Sequence, residues 1–166
     1  MSLVTIVMGS KSDLPSLKGA FDTFKEFGIS YTARILSAHR TPDEVAELAK
    51  SAEANGTKVI ICVAGMAAHL GGVVAAHTIL PVIGVPMASP PFNGLDSLLA
   101  MVQMPPGVPV ATVTAGPAGS KNAALLAIKM LALSDSELSA KLKDFQKRQA
   151  EKVLADDRAL QEGLLD

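Results

Sequence analysis

Three short stretches carry side chains that folding alone does not call for. The first is Gly9-Ser10-Lys11-Ser12-Asp13. Gly9 admits a ligand close to the backbone, Ser10 and Ser12 bring hydroxyls, and Asp13 brings a carboxylate. A helix starting here would add free N–H groups, which favour anions. A plain helix start capped by Ser10 or Ser12 accounts for the same residues. The loop is neither a G-x-x-x-x-G-K-[ST] phosphate loop nor a G-x-G-x-x-G fingerprint. The second stretch is Ser37-Ala38-His39-Arg40. Arginine offers a fixed donor fork suited to phosphate, and histidine gains or loses a proton near neutral pH. An exposed surface pair is the competing reading. The third is Gly65-Met66-Ala67-Ala68-His69-Leu70-Gly71-Gly72. Its small residues leave room and expose N–H donors around His69. For His69 the competing reading is a partly buried, hydrogen-bonded histidine, and for His77 that reading is preferred. His39 and His69 lack the acidic or Cys partners and local spacing of a metal site, so no metal is expected. Cys62, in mid-strand, reads as an inert core residue.

The elements that must position these stretches follow from periodicity. Leu3 to Met8 is a near-continuous apolar run ending at Gly9, as in a strand buried on both faces. Leu14, Leu17, Phe21 and Phe24 then fall at helical spacing from Ser12 to about Phe27, and Gly28 stops the helix. Tyr31 to Ser37 reads as a second strand. Thr41-Pro42-Asp43-Glu44 reads as a helix start with a Thr cap, Pro at the first position and Glu placed for a capping box. Lys58 to Ala64 is the third strand, followed by a Gly/Ala-rich helix to about Ile79. Pro81 to Pro86 is the fourth strand, Ser89 to Gly94 a loop, Leu95 to Met104 a helix, and Val108 to Val113 the fifth strand. Ala118 to Leu133 is apolar nearly all round, which marks a buried helix and favours a place at an oligomer centre. Ser134 and Glu137 fit another capping box, opening a charged amphipathic helix from Asp135 to about Gln161.

Strands and helices alternate with short connections, which means parallel βαβ units with right-handed crossovers. The expected fold is α/β: a flavodoxin-like three-layer sandwich with a parallel five-stranded sheet. In such sheets ligands sit beyond the C-terminal strand ends, where all three stretches fall. The 166 residues suit one domain, 1–166, with the last helix, about 135–162, packing on its own domain or on neighbouring subunits.

Composition narrows the class. Hydrophobic residues make up 49% and charged residues 19% of the chain, with a mean hydropathy of +0.34. No stretch has the roughly 18 apolar residues of a membrane span, so the excess is assigned to a buried sheet and subunit interfaces. A net charge of −1 gives no footprint for nucleic acid. The start of the chain lacks a basic, cleavable leader, and one cysteine cannot form an internal disulfide. The expectation is a cytoplasmic protein.

Read together, Gly-Ser-Lys-Ser-Asp, Ser-Ala-His-Arg-Thr-Pro, Ala-Ala-His-Leu and Asn-Gly-Leu-Asp-Ser-Leu with Val-Gln-Met-Pro resemble the class I N5-carboxyaminoimidazole ribonucleotide (N5-CAIR) mutases of purine biosynthesis, the PurE family. The motifs occur in family order from about Val4 to the C-terminal helix. The resemblance implies an isomerase that moves a carboxylate from the exocyclic nitrogen of the substrate to ring carbon 4, giving 4-carboxyaminoimidazole ribonucleotide (CAIR). It implies no metal or organic cofactor, a homo-oligomer, commonly an octamer, and hand-off from an ATP-dependent N5-CAIR synthetase. Carried over by motif, Ser10, Asp13 and Arg40 bind substrate, and Ser12 and Ser37 assist near phosphate and ribose. His39 is the general acid/base. His69, Gly65, Met66, Ala67 and Leu70 line the pocket for the migrating carboxylate, with His69 counted as catalytic. Met66 stands where the family commonly has a small residue, and Gly71 where it has Pro. The rival activity is a second class that carboxylates aminoimidazole ribonucleotide with free CO2. That class carries Ser-Ala-His-Lys and lacks Ala-Ala-His-Leu, so Arg40 and His69 favour the mutase. The non-enzymatic rival is a flavodoxin-like binding module. It is disfavoured by the absence of Trp, the single Tyr, and the lack of acidic residues after the first strand.

Overall fold

A computed structural model describes residues 2–163. Residues up to Met130 form one compact unit and those from Leu131 another. The first contains a five-stranded parallel sheet in the order β2-β1-β3-β4-β5. Its strands are β1 (Val4–Met8), β2 (Tyr31–Ile35), β3 (Val59–Gly65), β4 (Val82–Met87) and β5 (Ala111–Thr112). The order reverses direction beside β1, as the alternating pattern predicts for a flavodoxin-like sandwich. β1, β4 and most of β3 are buried. Each large aliphatic side chain sequestered there stabilises the fold by about 1.5–3 kcal/mol. β2 is an edge strand with all five residues exposed. Its Tyr31 is covered on one side by Phe21, whose ring stacks on it at 5.1 Å.

The helix expected from Ser12 to Phe27 is two elements. A 3-10 helix, Lys11–Leu17, precedes α1, Lys18–Phe27. Pro15 lies in the first of these and has no N–H to donate to an i−4 carbonyl. Gly28 ends α1 at φ 74°, a left-handed conformation that glycine adopts without steric penalty. α2 (Pro42–Ser51) starts at Pro42 as expected, but the Thr41–Glu44 capping box does not form. Thr41 Oγ1 instead accepts from the Ser37 N–H (2.9 Å) and donates to the Ser37 carbonyl (3.1 Å). The hydroxyl is thus drawn back to tie the strand end to the helix start.

α3 is much shorter than expected, only Leu70–Ala75. Gly71 and Gly72 lower its helix propensity, and Met66 turns the chain before it at φ 56°. α4 is Leu95–Val102. The two-residue β5 replaces an expected six-residue strand, because Pro109 cannot supply a ladder N–H. α5 (Gly116–Leu131) buries Ala123, Ala124, Ala127 and Ile128 completely. In the second unit, α6 (Ser136–Gln161) is capped by Asp135, whose carboxylate accepts from the Leu138 N–H. The expected Ser134 cap lies one residue early. No helix of the described residues is long and apolar enough to cross a membrane.

Candidate functional site

Sheet register brings the three polar stretches to one edge. Met8 pairs with Ile35 on one side and Val63 on the other, and Gly65 pairs with Met87. The Gly9 N–H donates to Val63 O, and the Leu36 N–H to Met8 O, both at 3.0 Å. Segments leaving β1, β2, β3 and β4 therefore emerge side by side. They enclose a cavity of about 800 Å³, within the size range of small-molecule sites. Ser10, Ser12, Asp13, Ser37, His39, Arg40, Gly65, Met66, Ala67, His69 and Leu70 all line it.

In the first wall, the Asp13 carboxylate accepts from the Ser10 N–H at 3.1 Å. Ser10 Oγ accepts from the Ser12 N–H (3.2 Å) and hydroxyl (2.8 Å). The Asp13 N–H donates to Ser10 O. Amides expected to face an anion are thus spent within the loop, leaving hydroxyls and the neighbouring Arg40 as its polar offering. Burial raises the Asp13 pKa above the usual carboxylate value, and the Ser10 N–H partly opposes this.

Ser37 builds the second wall. Its Oγ accepts from the backbone N–H groups of His39 and Arg40, both at 3.3 Å, fixing the turn that displays these side chains. Arg40 Nη2 donates to the Gly9 carbonyl at 3.0 Å, tying the second wall to the first. The rest of its guanidinium keeps donors for an anion. The third wall carries His69, whose Nδ1 lies 2.9 Å from His39 Nε2. Gly65 keeps its base open, since a Cβ there would stand 3.2 Å from the Met87 carbonyl oxygen, a tight contact. His77 takes no part: its Nδ1 bonds the Val73 carbonyl at 2.8 Å, as expected of a structural histidine. Cys62 is fully buried and its thiol pKa is pushed up by desolvation, so it is inert.

A fourth wall, Met87-Ala88-Ser89, and Ser16 also line the cavity, and none of these is among the binding residues expected from the sequence. Apolar and small residues carry no chemical signal. The position of β4 beside β3 was the available clue. A second cavity of about 530 Å³ lies at the other end of β1. Asp43, Glu44 and Glu47 face Arg34 there, a balance that disfavours an anionic ligand.

Residues 3–152 match the AIR carboxylase family. The N5-carboxyaminoimidazole ribonucleotide mutase of Saccharolobus solfataricus is 54% identical over 155 residues, covering 93% of this chain and 97% of the relative. The mutase of Escherichia coli K12 is 50% identical over 151 residues, covering 91% and 89%. The crystal structure of Treponema denticola PurE superposes with a TM-score of 0.86 at 35% identity, covering 96% of this chain and 99% of that one. With the parallel sheet, the motif order and the four-walled cavity, these matches place the chain in the AIR carboxylase (PurE) family.

Proposed function

We propose that this protein is an N5-CAIR mutase of purine nucleotide biosynthesis, an isomerase that converts N5-CAIR to CAIR without metal or organic cofactor. The observation that carries this reading is the meeting of His39 with His69 in a cavity that also holds Arg40, Ser10 and Asp13. Relatives at 50% identity or above bear the mutase name, and Arg40 and His69 occupy the positions that distinguish the mutase from the CO2-using class.

Catalysis begins with a proton passing from His39 to the exocyclic nitrogen. The carbon–nitrogen bond to the carboxylate then breaks and CO2 leaves. The resulting aminoimidazole is enamine-like, and its carbon 4 attacks the CO2. Removal of the carbon 4 proton by His39 restores aromaticity and resets the enzyme. Ser10, Ser12, Asp13, Ser37 and Arg40 hold the ribose phosphate and so fix the ring. Gly65, Met66, Ala67, His69 and Leu70 hold the CO2 and keep water away from it.

The experiment is steady-state kinetics of His39→Asn. Turnover falls by about 10³-fold or more while substrate binding persists; near-normal turnover refutes the acid/base role. The chain 1–166 acts as a single cytoplasmic domain and assembles as a homo-octamer, with α6 packing on neighbouring subunits. Support for assembly comes from α4, where Leu95, Leu98, Leu99 and Val102 form an exposed apolar stripe at helical spacing. The substrate arrives from an ATP-dependent N5-CAIR synthetase.

A further inference from the structure

His39 and His69 meet edge to face. His39 Nε2 lies 2.9 Å from His69 Nδ1, the ring centroids are 5.0 Å apart, and the planes cross at 86°. A bond between two imidazole nitrogens needs one N–H and one bare lone pair. Each neutral ring carries a single hydrogen on nitrogen, so only two assignments exist. Either both rings are Nε2–H tautomers and His39 donates, or both are Nδ1–H tautomers and His69 donates.

The Nε2–H form is the more stable tautomer of neutral histidine in water. His39 Nδ1 and His69 Nε2 have no hydrogen-bond partner among the described residues. The other charged groups of the cavity are engaged elsewhere: Asp13 with the Ser10 N–H and Arg40 with the Gly9 carbonyl. His39 is therefore the donor.

A proton count over the four ring nitrogens then has one outcome. His39 Nε2 and His69 Nε2 each carry hydrogen. The lone pair of His69 Nδ1 is occupied by the bond. Only the His39 Nδ1 lone pair is open. A proton entering the neutral pair goes there, and the imidazolium so formed donates more strongly to His69. A second proton would have to rupture the bond and set two cations side by side.

We infer that His69 is a positioning residue that fixes the tautomer of His39, so that His39 Nδ1 is the atom that gives and takes the reaction's proton. This rests on the reading of His39 as the acid/base group. The proton leaves Nδ1 for the exocyclic nitrogen and returns to it from carbon 4. The Nε2–H stays on His39 throughout, so the pair ends the cycle as it began.

Two measurements test this. The first is 15N NMR of the ring nitrogens in the free protein at alkaline pH. The expected result is a bare His39 Nδ1, a hydrogen-bearing His39 Nε2, and a coupling across the hydrogen bond to His69 Nδ1. A hydrogen on His39 Nδ1, or no coupling, overturns the inference. The second compares His69→Asn, whose amide oxygen can replace the acceptor, with His69→Leu, which has none. kcat falls about 100-fold in His69→Leu, with KM little changed, and His69→Asn recovers most of that loss. Equal kcat values, or a loss confined to KM, reduce His69 to a wall of the pocket. The NMR result stands even if N5-CAIR is not turned over, which separates failure of this inference from failure of the mutase reading.

Discussion

Asp13 carries a cost that its place in the cavity explains. Its raised pKa means that the folded state binds the proton more tightly than the unfolded chain. The stability gained from this is fully present below the ordinary carboxylate range. It is lost as pH rises through the raised folded value, so at neutral pH the ionised group weighs against the fold. Asn keeps an oxygen for the Ser10 N–H and removes the charge. Asp13→Asn is therefore expected to raise Tm slightly at neutral pH, an advantage that shrinks in acid. It should weaken substrate binding at the same time, because stability and function pull apart at such a site. Calorimetry at two pH values with a KM measurement checks both. The polar residues of the cavity were legible in the sequence because hydroxyls, carboxylate, imidazole and guanidinium have no reason to cluster at strand ends. Their hydrogen bonds were legible only in part. The Ser10 hydroxyl accepting from the Ser12 N–H is the helix cap that residue type allows, whereas Thr41 bonds back to Ser37 in place of the cap its sequence implies.

At the scale of elements, buried strands and the long last helix were readable from periodicity, because those patterns report burial directly. Lengths were less so. α3 stops at Ala75 rather than near Ile79, since small apolar residues satisfy a helical pattern without requiring a helix. β5 shrinks to Ala111–Thr112 around prolines whose effect depends on which ladder bonds are needed. Another constraint lies in α5. A Cβ on Gly119 would stand 1.6 Å from the Thr114 carbonyl oxygen and 3.3 Å from a Val85 methyl. The first turns of α5 thus press on the chain leaving β5 and on β4. Gly119→Ala cannot be absorbed by rotating a side chain, because the obstacle is backbone. It is expected to destabilise the protein by about 3 kcal/mol or more in urea titration. A loss under 1 kcal/mol would mean that α5 shifts freely.

For the whole molecule, alternation of strand and helix was enough to anticipate a parallel sheet, and the observed order β2-β1-β3-β4-β5 is the flavodoxin-like one. That order sets four strand ends along one edge and so creates the cavity. The sequence could not say that Met87-Ala88-Ser89 closes it, because this needs the neighbour relation between β3 and β4. The apolar excess of the composition finds only part of its explanation inside the protomer. Leu95, Leu99 and Val102 remain about half exposed on α4, and Ile79 and Leu133 nearly fully so. The proposed homo-octamer would cover such surface, and on that proposal sedimentation equilibrium gives eight times the 17.2 kDa protomer mass. A monomer at micromolar concentration would contradict it.

The central claim is the reaction itself. It is tested most directly by supplying purified protein with each of two substrates: N5-CAIR alone, and aminoimidazole ribonucleotide with bicarbonate. The account predicts conversion of N5-CAIR to CAIR with kcat in the range of about 1–10³ s⁻¹ typical of enzymes, and little product from the second mixture at the same bicarbonate level. Turnover only with aminoimidazole ribonucleotide and bicarbonate would contradict the mutase, and turnover of neither would contradict an enzyme of this reaction altogether.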